Sequence, residues 1–125
     1  MSEVNYSILD MDEYLILLKA AEAEESFPQL IYDFSSRHPS LKIHEIFKLA
    51  AEKLEKLLQI QALEIVKINY HPWHDKGRTE HLPAELALIM LHKPELWDRE
   101  NEEAYRMLTT DAGHSLLDQY ELMVN

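Results

Sequence analysis

The spacing of apolar positions changes period once, in the middle of the chain. Ile43, Ile46, Phe47, Ala50, Leu54, Leu57 and Leu58 recur three and four residues apart, which predicts a long amphipathic helix with Ser40 as its N-cap. At Ala62 the pattern turns into Leu63-Glu64-Ile65-Val66-Lys67-Ile68-Asn69-Tyr70, a run of branched and aromatic residues suited to a strand. Upstream, Asp10-Met11-Asp12-Glu13 has the spacing of a capping box and opens a first helix, whose acids suit the positive end of its dipole. Met11, Tyr14, Leu15, Leu18 and Ala21 form the buried stripe expected of that helix. A second helix opens at Pro28, buries Leu30, Ile31 and Phe34, and stops ahead of His38-Pro39, because the residue before a proline is pushed out of helical geometry.

Beyond Tyr70 the segment 71–78 is polar and turn-rich. A short helix is expected from Pro83 to just before Pro94, with Leu82, Leu86, Ile89 and Met90 inward. Tyr105 to Thr110 reads as a returning strand. Thr110 or Asp111 then caps a last helix that buries Ala112, Leu116, Leu117, Tyr120 and Met123.

Composition narrows the class. The chain has 125 residues, 46% of them apolar, with two glycines and no internal repeat, which fits one compact, mainly helical domain over residues 1–125. The absence of cysteine excludes disulfides and thiol chemistry. With neither a signal-like N-terminus nor an apolar run of membrane-spanning length, a soluble cytoplasmic protein without membrane contact is expected. The net charge is −11 and is uneven: −6 over residues 1–26, +2 over 27–78 and −7 over 79–125. Such a field repels nucleic acid and attracts basic partners.

The segment Tyr105-Arg106-Met107-Leu108-Thr109-Thr110-Asp111-Ala112-Gly113-His114-Ser115-Leu116-Leu117 resembles the end of a MarR- or PadR-type winged helix. In those families an aromatic-led strand, Leu-Thr, two polar or small residues and Gly lead into the closing helix. Leu54, Leu57, Ala62, Leu63 and Val66 similarly follow the pattern of a recognition helix running into the first wing strand. The resemblance implies an α+β, mostly helical winged helix-turn-helix with a two-stranded antiparallel wing, here carrying an inserted short helix. It also implies DNA binding and a homodimer through the first and last helices. Two features depart from the family: Gln59-Ile60-Gln61-Ala62 stands where a glycine usually ends the helix, and residues 71–103 replace a short hairpin.

For DNA, the candidate contacts are Arg37, Lys42, Lys48, Lys53, Lys56 and Arg78. Glu45, Glu52 and Glu55 interrupt them, and Lys48–Glu52 and Glu52–Lys56 stand at salt-bridge spacing, the pattern of a solvated helix face. His71, His74 and His81 with Asp75 and Glu80 offer imidazole and carboxylate ligands in one loop, but no second ligand pair fixes a tetrahedron. They are read as solvated histidines, and no metal or cofactor is expected. No phosphate loop, nucleophile elbow or paired acid-base carboxylates occur, so no catalytic residue is assigned and no enzyme is expected.

Protein binding remains. The inserted segment combines Trp73 and Trp97 with Asp75, Glu80, Glu95, Asp98 and Glu100, anchor area flanked by charge that steers a basic partner. Trp97, following Leu96, also suits packing of the insert onto the core. The reading that results is a non-catalytic protein-binding module, an immunity- or antitoxin-like inhibitor of a basic bacterial toxin. A winged-helix, DNA-binding transcription regulator is the alternative.

Overall fold

The computed structural model describes residues 9–22, 26–69, 78–101 and 104–124. Three helices lead into the first strand: α1 (Met11–Ala21), α2 (Phe27–Arg37) and α3 (Ile43–Gln59), then β1 (Leu63–Asn69). The capping box opens α1 as expected, Glu13 N–H donating to the Asp10 carboxylate and Asp10 N–H to the Glu13 carboxylate, both at 2.9 Å. Ser26 caps α2, its hydroxyl accepting from Gln29 N–H at 3.1 Å, and the helix ends at Arg37 ahead of His38-Pro39. α3 starts later than the expected Ser40 cap. Ser40 lies in a turn, and Lys42 is the cap residue, its N–H donating to the Glu45 carboxylate at 2.8 Å.

The chain continues through β2 (Arg78–His81), α4 (Ala84–Met90), α5 (Pro94–Trp97), a 3-10 turn (Arg99–Asn101), β3 (Tyr105–Thr109) and α6 (Asp111–Val124). The expected two-stranded wing is a three-stranded antiparallel sheet in the order β2-β1-β3. Ile65 faces Met107 and Lys67 faces Tyr105 on one side of β1, while Val66 faces His81 and Ile68 faces Thr79 on the other. Arg78-Thr79-Glu80-His81 has no apolar alternation of its own, so its strand conformation comes from pairing with β1. The architecture is α+β and mostly helical.

Several buried faces differ from the periodicity. On α1 the buried residues are Glu13, Ile16, Leu17 and Ala20, one position round the helix from the expected stripe, and Met11 and Ala21 are exposed. Residues 15–18 are apolar on every side, so period alone does not orient them. On α3, Ile46, Ala50, Leu54, Leu57 and Leu58 are buried as expected, but Ile43 and Phe47 keep 60% and 36% of their surface. On the α4 segment Leu82, Ala87, Met90 and Leu91 face the core, and Leu86 and Ile89 face out. In α6 Leu117 is buried and Leu116 and Tyr120 partly so, while Ala112 and Met123 are exposed.

The α3–β1 join is held by hydrogen bonds both within the turn and from the start of α6. Ala62 N–H donates to the Leu57 carbonyl at 2.9 Å and Gln61 N–H to the Leu58 carbonyl at 3.1 Å, the paired bonds of a Schellman motif. Gln61 holds the left-handed position at φ 62°, where glycine is usual. Thr110 locks α6 onto this turn: its N–H donates to the Ala62 carbonyl at 3.1 Å and its hydroxyl to the Gln61 carbonyl at 2.6 Å. The same hydroxyl accepts from Gly113 N–H at 3.0 Å, which makes Thr110 the cap of α6. Replacing Gln61 with glycine removes the steric penalty of a left-handed L-residue, worth about 1 kcal/mol, so the urea midpoint should rise by about 0.5 M. An unchanged or lower midpoint would contradict the strain assigned to Gln61.

Candidate functional site

The outer face of α3 and the insert meet around two aromatic rings. Trp97, at the end of α5, stands edge-on to Phe27 of α2 (centroids 5.6 Å, 87°) and to Phe47 of α3 (5.7 Å, 86°). Its indole N–H donates to the Leu91 carbonyl at 3.0 Å, which satisfies the ring's polar end and fixes its orientation. Leu96 beside it is fully buried, so the Leu-Trp pair does pin the insert to the core, with part of the indole left to solvent.

A groove of about 800 Å³ opens between α3 and the α4–α5 turn. Phe47, Ala51, Leu91, Pro94 and Trp97 give it an apolar floor, and Lys48, Glu52, Glu55, His92, Lys93 and Asp98 stand round it. On the other side of the Phe47–Trp97 pair a recess of about 270 Å³ is lined by Pro28, Ile31, Tyr32 and Arg99. With Tyr32 and Ile43 exposed nearby, this is a broad aromatic and aliphatic surface flanked by charge, the composition of an interface centre with its rim. Sequence reasoning had placed Phe47 in the core and so missed the groove. The signal was present: Ile43, Phe47 and Ala51 at four-residue spacing widen the apolar arc of α3 beyond what one core contact needs.

The candidate partner residues divide. Glu95, Trp97, Asp98 and Glu100 come together on α5 and the 3-10 turn: Tyr105 hydroxyl donates to the Glu95 carboxylate at 3.5 Å, and Glu100 N–H to the Asp98 carboxylate at 2.9 Å. Burial first, then the Glu95 carboxylate, raises the Tyr105 pKa above its ordinary value. Glu80 is exposed on β2, across β1 from that cluster. Trp73 and Asp75 lie outside the described residues, as do His71 and His74. Among the described residues no three His, Asp or Glu side chains gather as metal ligands, and His81 Nδ1 lies 3.0 Å from the Glu64 carboxylate.

The candidate DNA contacts are divided between ion pairs and the groove. Lys53 and Lys56 turn to α1, where Lys53 pairs with Asp10 and Lys56 donates to Glu13 at 2.9 Å. Burial disfavours both charges of the Asp10–Lys53 pair. Their hydrogen bond and mutual attraction outweigh it, lowering the Asp10 pKa and raising that of Lys53. Arg37 lies on the Phe34 ring at 4.9 Å and donates to Asp12 at 2.8 Å, and His38 meets the other Asp12 oxygen at 2.8 Å. Among the described residues neither a Glu52–Lys56 nor a Lys48–Glu52 bridge appears along α3; the Lys56 ammonium lies instead 2.9 Å from the buried Glu13 carboxylate. Lys42 sits at the start of α3, Lys48 at the groove, and Arg78 begins β2. Among the described residues no helix is long and apolar enough to cross a membrane. Comparison of the chain with protein-family models, curated proteins and solved structures finds no match.

Proposed function

We propose that this chain is a non-catalytic protein-binding module on a winged-helix frame, acting as an immunity- or antitoxin-like inhibitor of a basic bacterial toxin. The observation that carries the reading is where the cations go. Arg37 at the end of α2 and Lys53 and Lys56 on α3, three of the six candidate DNA contacts, are held in ion pairs with Asp12, Asp10 and Glu13. With a net charge of −11, the outward field is acidic, and Asp98 and Glu100 stand exposed beside the Trp97 surface. A toxin that acts on nucleic acid is cationic round its substrate groove, so an acidic surface with an aromatic anchor competes for the same place. The winged-helix frame is supported by three helices running into a strand, a returning strand and a closing helix, with Gln61 in the left-handed position that the resembled families give to glycine. Met11, Leu122 and Met123, exposed on α1 and α6, are where a homodimer would form.

The test is capture of a basic protein from the source cells at low salt, run in parallel with the Asp98→Lys, Glu100→Lys double variant. The expected result is a stoichiometric basic partner that elutes as salt rises and associates roughly tenfold more slowly with the variant. A chain that retains duplex DNA in a gel shift at low salt, and no basic protein, would instead be a regulator.

A further inference from the structure

We infer that the groove between α3 and α5 is the docking site for a segment of a basic protein that carries a large apolar residue next to arginine or lysine. The inference rests on the protein-binding reading and assigns its contact surface, which moves from the acidic insert alone to the wall that α3 contributes. The apolar half of the ligand follows from the floor. Phe47 and Trp97 meet edge-on with part of each ring open to solvent, and Leu91 and Pro94 close the far side, a seat for one aliphatic or aromatic side chain.

The rim is of mixed charge, with Lys48, His92 and Lys93 as well as Asp98, and the cationic half of the ligand follows from the one stretch of it that carries two acids, on α3. Glu52 and Glu55 are three residues apart on α3 and both line the groove, so two like charges share one helix face. Glu52 would normally be neutralised by Lys56 one turn later, but the Lys56 ammonium is on Glu13 of α1. Lys48, on the N-terminal side of Glu52, is in the less favourable order for a helical pair and does not bridge to it. Among the described residues neither carboxylate has an ion-pair partner. A guanidinium or ammonium set between Glu52 and Glu55 relieves their repulsion while its neighbouring apolar side chain covers the rings.

The probe is a short synthetic peptide with leucine or phenylalanine beside arginine, titrated into the isotope-labelled full chain and followed by NMR. Backbone shifts should concentrate at Phe47, Ala51, Glu52, Glu55, Leu91 and Trp97. The same peptide with glutamate for arginine should bind at least tenfold more weakly, as should one with the apolar residue replaced by serine. Glu52→Lys with Glu55→Lys, and separately Ala51→Phe to fill the groove, should each weaken binding by a similar factor without moving the melting temperature of these surface-altered chains. Absence of binding, equal binding of all three peptides, or shifts scattered over acidic surface elsewhere would overturn the inference. Duplex DNA that shifts Lys48 and Lys93 in place of the peptide would overturn it as well. A basic partner captured equally by the wild type and the Glu52→Lys, Glu55→Lys chain removes the groove while leaving the protein-binding reading intact; a wild-type chain that binds neither a basic partner nor the peptide removes both.

Discussion

Replacing Gly113 with alanine should lower the melting temperature by about 6–8 °C, even though alanine is the better helix former. Gly113 lies in the first turn of α6, where the helix runs against the α3–β1 join. A methyl group there would overlap the Ala62 carbonyl oxygen and lie 2.7 Å from Cγ2 of Thr109. The obstacle is backbone, and it is not free to retreat: the Ala62 carbonyl accepts from Thr110 N–H at 3.1 Å, and Ala62 N–H closes the Schellman turn on Leu57. The overlap therefore costs about 3 kcal/mol, at the upper end for an overpacked site, against about 1 kcal/mol gained in helix propensity. Valine adds bulk without the propensity gain, so Gly113→Val should lose about 4 kcal/mol. Thermal and urea unfolding of both variants measure this directly. A Gly113→Ala chain that melts above the wild type would show that α6 does not approach the join this closely.

What the sequence made legible here is largely what local chemistry decides. The Asp10–Glu13 box, the stop at His38-Pro39, the turn from α3 into β1 and the Thr110 cap each depend on residues a few positions apart, and each lies where the pattern put it. Two misses are local, the α3 cap at Lys42 in place of Ser40 and the α1 stripe, but the others depend on partners distant along the chain. Glu13 is a charged residue that periodicity sends outward, yet it is buried because lysines two helices later, 40 and 43 positions on, meet it. β2 has no strand signature until β1 offers it an edge. Phe47 reads as core because its stripe is apolar, and only the position of α5 shows that the stripe serves two surfaces, one inside the protein and one lining the groove. Even the charge pattern of α3 misleads: alternating Lys and Glu implies bridges along the helix, whereas Lys53 and Lys56 leave for α1 and Lys48, Glu52 and Glu55 stay at the groove.

Removing the Glu13 carboxylate should therefore change both stability and binding. The side chain is 2% exposed; one oxygen accepts from Lys56 Nζ and from Asp10 N–H, both at 2.9 Å, and the other lies 3.8 Å from Lys53. Breaking a buried ion pair costs about 3–5 kcal/mol when the remaining charge is trapped, but the lysine side chains here keep 22% and 40% of their surface and can reach water. Glu13→Ala should accordingly lose about 2–3 kcal/mol, including about 1 kcal/mol for the missing cap at Asp10 N–H. Glu13→Gln keeps an acceptor for that N–H and should lose about 1–2 kcal/mol. Unfolding curves for the two variants separate the charge from the cap. In Glu13→Gln the Lys56 ammonium loses its 2.9 Å carboxylate partner, and Glu52 stands one turn back on the same helix at the spacing that favours a Glu-to-Lys bridge. That bridge would neutralise one wall of the groove, so affinity for an apolar-basic peptide should fall while low-salt affinity for duplex DNA rises. If both affinities stay at the wild-type level, Glu13 does not control the surface charge of α3, and its burial serves the fold alone.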